Sequence, residues 1–490
     1  MNKSTLSSLA ALLATAVAAH GQIVWTGETG TGADPDSGNW SDAGNWDPSA
    51  PTSGPTTALS FSNTDPANPE YTSTLDIGGE NNVFDVNQMT FNNNATSGND
   101  VGIFIERTDN RSLRFTGANP SLIQNGSRRS EIRVPILFDP TSGDSIISGN
   151  GDGFLVVGAG GSVDAGTHGT LTKNGSSTFF FNVSSGGFSA DRIIVNDGRF
   201  GFDGRLGQHS GVIVEVYGSG SYGLLGHGGD GFTIGGAIGD GWLRNQTNQD
   251  RAMGINVEEG GNYEFNGTIT DSRIRNVRIG GEGTQIFGNG AEVSRDVLVG
   301  STSQTSEVSL SGGNLAISGT VTGGGTTYVG DGGTLSGDGT WERALVVEDG
   351  GTLSPGASTG TLTVGNTTLL NGFIYNWEFN SFDDTSDLIN VLGSLDLTDG
   401  QAGTINMIGL GGSDFSEFGG SLAIFTTNGI VGADDGDTLD WIVTLNGVEQ
   451  SWTATVVGDT VVIPEPSTYA ALFGIGALGM VLFLRRRARR

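Results

Sequence analysis

Paired glycines recur along the middle of this 490-residue chain and limit what it can fold into. Three of the pairs stand in the pattern Val, any residue, acidic residue, Gly, Gly. The five pairs begin at Gly260, Gly280, Gly312, Gly332 and Gly350, and three of the four intervals between them are nearly equal. A unit of about 20 residues cannot bury an apolar face alone, whereas stacked units close a continuous core. The repeat therefore predicts a solenoid.

Short apolar runs lie between Gly, Asn, Asp and Ser residues, a pattern typical of strands and turns. Glycine makes up 84 of the 490 residues, and no comparable stretch of the body has helical periodicity. Such runs occupy residues 154–157, 193–195, 212–216 and 297–299. We predict an all-β fold, a right-handed parallel β-helix (β-solenoid) body with a C-terminal single transmembrane helix. An antiparallel sandwich or a propeller is the alternative, and irregular repeat spacing counts against the propeller.

Residues 1–21 are predicted to be a signal peptide. Lys3 supplies a positive charge, residues 6–19 are apolar, and small residues precede Gln22. A cut after Ala18 is an alternative. The chain has no cysteine, which excludes disulfides, thiolate metal sites and cysteine nucleophiles. We therefore expect an exported body that is stabilised by backbone pairing and packing.

The C-terminal segment has three parts: Pro464, Glu465 and Pro466, then an uncharged apolar run at 469–484, then five arginines. As a helix the run would rise roughly 24 Å, close to the ~30 Å hydrocarbon core of a bilayer. Basic residues that flank a span stay on the cytoplasmic side, so the body should face out. The basic cluster consists of Arg485, Arg486, Arg487, Arg489 and Arg490.

This order of Pro-Glu-Pro, span and arginines resembles the PEP-CTERM sorting signal. The resemblance implies recognition by an exosortase-type protease at the inner membrane, cleavage near Pro464–Glu465–Pro466, and delivery of the body to the cell surface or extracellular matrix. An ordinary membrane anchor is the alternative. The predicted domains are the signal peptide (1–21), a repeat-containing β-solenoid (22–365), a C-terminal β region that continues or caps the solenoid (366–463), and the sorting signal (464–490).

Two further segments, 25–51 and 351–364, resemble secreted passenger-like proteins that carry autotransporter-associated β-strand repeats. The resemblance implies a β-helix for the body. The first segment contains Trp25, Trp40 and Trp46. These tryptophans have two interpretations: a stacking platform for sugar rings, or a capping layer over the first coil of the solenoid, since an open end must cover its edge and core.

Charge narrows the set of partners. Residues 23–463 contain 17 basic and 52 acidic side chains, a net of −35. This balance disfavours nucleic acid, and it suits divalent cations and neutral or basic glycans better than polyanions. Two acidic clusters could ligate Ca²⁺ or could be solvated turns. They are Asp383, Asp384 with Asp387, and Asp434, Asp435 with Asp437. Neither fits a helix-flanked calcium loop, so we predict no metal site and no cofactor.

Candidate catalytic residues are few. His168, His209 and His227 stand in glycine-rich sequence without metal-ligand spacing, and no strand-to-helix context suits a nucleophile elbow. We predict a non-enzymatic structural or adhesive protein at the cell surface or in the matrix, with extracellular polysaccharide as its partner. The alternative is a carbohydrate-active β-helix enzyme, a polysaccharide lyase or glycosidase, that uses the same sorting route.

Overall fold

The structure is a computed structural model that describes residues 21–27, 37–64, 70–95, 101–142, 144–157, 163–164, 169–181, 188–202, 209–225, 231–304, 306, 310–415 and 421–464. This part of the chain consists of strands and turns, with no α-helix in it. Short 3₁₀ turns occur at Ala43–Asn45, Glu80–Asn82, Pro140–Ser142 and Leu410–Gly412. The all-β prediction is therefore confirmed. The chain forms two compact units, Met1–Asp203 and Gly204–Arg490.

The described part of the first unit contains twenty strands. They are β1 (Ile23–Trp25), β2 (Gly38–Asn39), β3 (Trp46–Asp47), β4 (Ala58–Asn63), β5 (Tyr71–Leu75), β6 (Val83–Val86), β7 (Gln88–Asn93), β8 (Val101–Arg107), β9 (Ser112–Phe115), β10 (Ser121–Gln124), β11 (Arg129–Ile132), β12 (Ile136–Phe138), β13 (Ser145–Ser148), β14 (Phe154–Val157), β15 (Val163–Asp164), β16 (Thr170–Lys173), β17 (Thr178–Phe181), β18 (Phe188–Ser189), β19 (Arg192–Val195) and β20 (Arg199–Phe202).

From β4 onward these strands join three parallel ladders in turn. The first ladder contains β4, β7, β10, β13, β16 and β19. The second contains β5, β8, β11, β14, β17 and β20. The third contains β6, β9, β12, β15 and β18. Parallel neighbours need a long connection, and here the two intervening strands supply it.

The core of the first unit lies between the ladders. Side chains alternate along a strand, so one set of each ladder points inward. Leu59, Met89 and Leu122 occupy matching register positions on three successive strands, and all three are buried. The rings of Phe61 and Phe91 stack with centroids 5.4 Å apart. Each further strand thus adds one apolar layer to the core.

The second unit contains the remaining described strands. They are β21 (His209–Val216), β22 (Ser221–Leu224), β23 (Phe232–Gly239), β24 (Trp242–Asn245), β25 (Arg251–Val257), β26 (Asn262–Phe265), β27 (Thr268–Ile269), β28 (Ile274–Phe287), β29 (Glu292–Val293), β30 (Asp296–Val299), β31 (Gly312–Ile317), β32 (Thr320–Val321), β33 (Thr326–Val329), β34 (Thr334–Gly337), β35 (Thr340–Trp341), β36 (Ala344–Val347), β37 (Thr352–Pro355), β38 (Thr361–Val364), β39 (Thr367–Leu369), β40 (Phe373–Asn380), β41 (Thr385–Ser386), β42 (Leu388–Val391), β43 (Leu395–Asp396), β44 (Gly403–Gly409), β45 (Leu422–Thr426), β46 (Ile430–Val431), β47 (Thr438–Leu439), β48 (Ile442–Leu445), β49 (Val448–Glu449), β50 (Ala454–Val457) and β51 (Thr460–Ile463).

Parallel ladders also organise this unit. One ladder runs through β21, β23, β25, β28, β30, β33, β36, β39, β43 and β46. Another runs through β26, β28, β31, β34, β37, β40, β44 and β48. A third side carries β22, β24, β27 and β29, and then β32, β35, β38, β42 and β45.

The glycine pairs mark the register of these ladders. Thr334 pairs with Thr352, and each of these threonines follows a glycine pair directly, the pairs that begin at Gly332 and Gly350. Both of these first glycines have a left-handed φ, +71° and +73°, which a residue with a Cβ rarely adopts. The pair at Gly280 lies inside the 14-residue strand β28, which contributes to two ladders.

The separation in sequence between residues that pair on neighbouring strands is not constant. The separation between Leu395 and its partner Ile430 is nearly twice that between Thr327 and its partner Leu345. The four apolar runs predicted as strands all lie within strands: β14, β19, β21 and β30. Loops of different length therefore leave the ladders without disturbing the pairing, which explains why only part of the chain shows a regular repeat.

The pairing changes at the end of the second unit. The parallel ladders end at β45, β46 and β48, and antiparallel strands follow. Strand β49 forms a hairpin with β48, and β51 lies between β45 and β50. Strand β47 pairs with β50. Because these last strands run antiparallel to the strands they pair with, backbone groups of the same chain cover edges of the parallel ladders.

Candidate functional site

The folded body ends directly before the predicted sorting motif. Strand β51 has a hydrogen-bonded neighbour on each side, and its Val461 and Ile463 are buried. Pro464 follows at once, is half-buried, and is the last residue that the structure describes. Proline has no N–H to donate, so the ladder cannot continue through it. The chain therefore changes from strand to non-strand at the first residue of the motif.

The remaining parts of the predicted signals lie outside the described residues. These are residues 1–20 of the signal peptide, Glu465, Pro466, the apolar run at 469–484, and the basic cluster Arg485, Arg486, Arg487, Arg489 and Arg490. Within the described ranges, no helix has the length and apolar character that crossing a membrane requires.

The three N-terminal tryptophans come together in one packed cluster. Trp25 and Trp46 pair across the antiparallel strands β1 and β3, with ring centroids 4.9 Å apart, and Trp40 lies 5.4 Å from Trp46. The Trp40 indole donates a hydrogen bond of 2.8 Å to the Ser73 hydroxyl. All three side chains are buried, also against Phe61. A sugar ring stacks on an exposed aromatic face, and this cluster presents none.

Exposed aromatic side chains occur elsewhere, at positions that the sequence analysis did not name as candidate sites. Phe154 is 44% exposed, Trp242 is 37% exposed and Phe382 is 70% exposed. Trp242 and Arg244 are outward positions of β24 with buried Leu243 between them. The Arg244 guanidinium lies over the Trp242 ring, 4.7 Å from its centroid. The alternating Trp-Leu-Arg pattern is the sequence signal that could have identified this outward pair.

The first acidic cluster does not converge. Asp387 is buried, and its carboxylate accepts hydrogen bonds from the backbone N–H groups of Gly360 and Glu378, each 2.8 Å long. Burial raises the pKa of Asp387 to about 7, against the lowering effect of these two hydrogen bonds. Asp383 is exposed and accepts instead from the Asn380 amide at 2.7 Å. Asp387, directly before β42, therefore links β40 to the residue directly before β38.

The second acidic cluster forms turns. The Asp437 carboxylate accepts the backbone N–H of Asp434 at 2.8 Å, and the Asp435 carboxylate accepts that of Gly458, also at 2.8 Å. In the described part of the chain, no three His, Asp or Glu side chains are grouped so that they could hold a metal ion. His209 lies in strand β21, whereas His168 and His227 lie outside the described residues.

The C-terminal residues 462–487 match the family model of the PEP-CTERM protein-sorting motif. The match begins inside β51, so Val462 and Ile463 belong both to the folded body and to the matched region. The motif identifies an exported protein that transits the membrane and is processed by an exosortase-type system. No curated protein matches the chain. No family match confirms the autotransporter-like resemblance of segments 25–51 and 351–364, which remains a prediction.

Proposed function

We propose that residues 22–463, the body, form a structural or adhesive protein of the cell surface or extracellular matrix that retains extracellular polysaccharide. In this proposal each unit is a right-handed parallel β-helix, and an exosortase-type protease removes a C-terminal transmembrane helix near Pro464, Glu465 and Pro466. In the first unit the chain passes through the three ladders in the same order from β4 onward, and this repeated order supports the β-helix. The sorting motif supports the export route.

The observation that carries the proposal is the position of the motif relative to the fold. Ile463 is buried between paired strands, and Pro464, the first residue of Pro-Glu-Pro, is the next residue. Cleavage on the C-terminal side of Pro464 would leave every described strand uncut. A signal placed inside a ladder would instead require local unfolding before a protease could reach it. The body can thus survive removal of its tail intact.

Intact-mass and peptide analysis of the protein recovered from the native surface tests the processing step. We expect no peptide from residues 473–485 in the mature protein. Replacing Pro464, Glu465 and Pro466 with alanine should leave the tail attached. A matched control replaces Ser467 and Thr468 with alanine and should be processed normally. Mature protein that retains residues 473–485 would contradict the proposed removal of the tail.

A binding assay separates the structural function from the enzymatic alternative. The protein is incubated with the organism's exopolysaccharide and with uronate polymers, and both co-sedimentation and new reducing or unsaturated ends are followed. We expect co-sedimentation without new ends, because weak contacts repeated along a solenoid add avidity without a catalytic pocket. Time-dependent depolymerisation that one carboxylate substitution abolishes would establish the enzyme instead.

A further inference from the structure

In the described part of the second unit, two neighbouring outward rows carry no charged side chain across seven strands. The strands are β28, β31, β34, β37, β40, β44 and β48, which follow one another in a single parallel ladder. Each strand contributes two partly or largely exposed residues with one residue between them. They are Thr284 and Ile286, Asn314 and Ala316, Thr334 and Ser336, Thr352 and Ser354, Ile374 and Asn376, Thr404 and Asn406, and Ile442 and Thr444. We call these residues the uncharged face.

The register of the ladder places the pairs side by side. Thr334 is in register with Thr352 on the next strand, and further along Ile374 is in register with Thr404. Successive strands of a sheet are about 4.8 Å apart. The first members of the pairs therefore form one row across the strands, and the second members form a parallel row.

Buried side chains hold the uncharged face in place. Side chains alternate along a strand, so the residue between the two members of each pair points into the core. These inward residues are all buried: Gln285, Leu315, Leu335, Leu353, Tyr375, Ile405 and Val443. Close packing of the core fixes the backbone of each strand. A ligand would thus meet a surface whose backbone is already ordered, so binding would cost little conformational entropy.

Hydrogen bonds order one row and leave hydroxyls available in the other. The Asn406 side-chain amide donates to the side-chain oxygen of Asn376 at 3.0 Å, and the Thr444 hydroxyl donates to that of Asn406, also at 3.0 Å. The hydroxyls of Thr334 and Thr352 form no hydrogen bond with any group in the described part of the chain. These two hydroxyls can therefore bond to a ligand without breaking a contact within the protein.

Carboxylates begin directly beside the uncharged face. Glu282 lies two residues before Thr284 on β28 and is exposed, and Glu378 lies two residues after Asn376 on β40 and is partly exposed. The chain as a whole has a net charge of −30. An anionic polymer that lay along the rows would meet like charges at their margin, whereas a neutral polymer would meet no repulsion. The charge distribution therefore favours a neutral ligand.

The uncharged face offers two kinds of contact. Threonine hydroxyls and asparagine amides both donate and accept hydrogen bonds. The threonine methyl groups and the side chains of Ile374 and Ile442 add apolar area, and Ile442 is 50% exposed. A pyranose ring carries hydroxyl groups at its edge and C–H groups on its faces. Sugar rings can therefore use both kinds of contact at once.

We propose that the uncharged face binds a neutral, linear polysaccharide that lies along the ladder, with sugar hydroxyls hydrogen-bonded to the threonine and asparagine side chains. This inference rests on the proposed retention of extracellular polysaccharide, and it names the binding surface and the chemical class of the glycan. Each strand repeats the contacts about 4.8 Å further along, so contacts that are weak individually add up over the seven strands.

The test measures co-sedimentation of the full-length protein, in detergent, with microcrystalline cellulose, which is a neutral linear polysaccharide. We expect binding that added salt does not weaken, because no ion pair contributes to it. Thr334→Val/Thr352→Val keeps the shape and strand propensity of both side chains but removes their hydroxyls, and it should bind about tenfold more weakly. The matched control is Thr340→Val/Thr363→Val, a pair in register on β35 and β38, which should bind like the unchanged protein.

Two further variants secure this readout. Thr334→Ser/Thr352→Ser keeps both hydroxyls, so it should bind cellulose within about twofold of the unchanged protein. Thr352→Val/Thr404→Val removes two hydroxyls of the same row and replaces the first valine variant if that one does not fold. Equal binding by the valine variant and its matched control would overturn the assignment to the uncharged face. Tighter, salt-sensitive binding to polygalacturonate than to cellulose would overturn the neutral class.

The remaining outcomes distinguish this inference from the proposed function. A second copy of the chain is the competing occupant of the face. Size-exclusion chromatography would reveal it if the valine variant eluted as a smaller species while binding cellulose normally, and that result would overturn the inference. A protein that retains the organism's exopolysaccharide but not cellulose would also overturn the inference alone. A protein that binds no polysaccharide would overturn the proposed function as well.

Discussion

The first strands of the first unit and the last strands of the second unit end their ladders in different ways. At the N-terminal end, Trp25 of β1 and Trp46 of β3 pack with Trp40 in one buried cluster, and Trp40 has no exposed surface. At the C-terminal end, short antiparallel strands cover the edges, while apolar side chains such as Val431 and Val448 remain about half exposed or more, 49% and 65%.

This difference separates two ways of closing a parallel sheet. Rings cover the core by their apolar area, so deleting a ring leaves a cavity. Antiparallel strands cover the edge by satisfying its hydrogen bonds, so their loss exposes backbone groups. We therefore expect the N-terminal end to depend on side-chain volume and the C-terminal end to depend on strand pairing.

The largest expected loss of stability follows from a substitution at the N-terminal end. Trp40→Ala should lower the free energy of unfolding by about 4 kcal/mol, because it removes a buried ring and its hydrogen bond to Ser73. Trp242→Ala, at a partly exposed indole, should cost less than about 1 kcal/mol. Denaturant unfolding of the body measures both. Similar losses for the two variants would show that the N-terminal tryptophans do not close the core.

The next effect concerns the C-terminal end. Ile463→Ala should cost about 3 kcal/mol and increase amide exchange across Leu422–Thr426, the strand with which β51 pairs. Val457→Ala is the control on the neighbouring strand, since Val457 is 55% exposed, and it should change the free energy of unfolding by less than about 0.5 kcal/mol. Hydrogen exchange with mass spectrometry reports the local opening. Unchanged exchange in Ile463→Ala would mean that β51 does not hold this edge.

Titration of Asp387 tests how its burial affects the stability of the strands that precede the C-terminal end. The pKa of Asp387 is about 7 in the folded protein and ~3.9 in an unfolded chain, so the folded state binds more protons between these values. Stability from this group is therefore greatest below about pH 4, falls as pH rises through 7, and stays low above it.

Replacing this carboxyl should remove that dependence. Relative to the unchanged protein, Asp387→Asn should gain on the order of 2 kcal/mol in stability between pH 4 and pH 8. Asp383→Asn, at an exposed carboxylate, should show no such change. Denaturation midpoints at the two pH values provide the measurement. If the denaturation midpoint changes equally between the two pH values for Asp387→Asn and for the unchanged protein, Asp387 does not titrate in this range.

The smallest expected effect is at the exposed apolar side chains. The double variant Val431→Ser/Val448→Ser should leave the free energy of unfolding within about 0.5 kcal/mol of its original value, because both side chains already contact water. Thermal melting tests this, and size-exclusion chromatography shows whether self-association decreases. A loss comparable to that of Ile463→Ala would mean that side-chain burial, and not strand pairing, closes this end.

Features encoded by neighbouring residues could be predicted from the sequence. Apolar runs such as 297–299 became strands, and the spacing between Gly332 and Gly350 reappears as the register of β34 and β37. The sorting motif was also recognisable, because it is a linear signal confined to one short terminal segment. In each case the information is local, or repeats at a short and constant offset.

Features that depend on distant partners could not be predicted. Lys173 lies on the buried side of β16 and donates to carbonyls of Asn174, Gly175 and Asp197, and burial lowers its pKa to about 8. Arg343 is buried against carbonyls that are distant in sequence, Val293 among them.

Strand β51 also decides how the body would respond to a mechanical load. If the processed C-terminus is attached to the cell surface, drag on the body pulls along β51, between neighbours that both run antiparallel to it. Hydrogen bonds of an antiparallel pair lie perpendicular to the strands, so a pull along β51 loads its bonds to both neighbours together instead of peeling them one by one. A load along β51 would thus be shared by the strands on both of its sides.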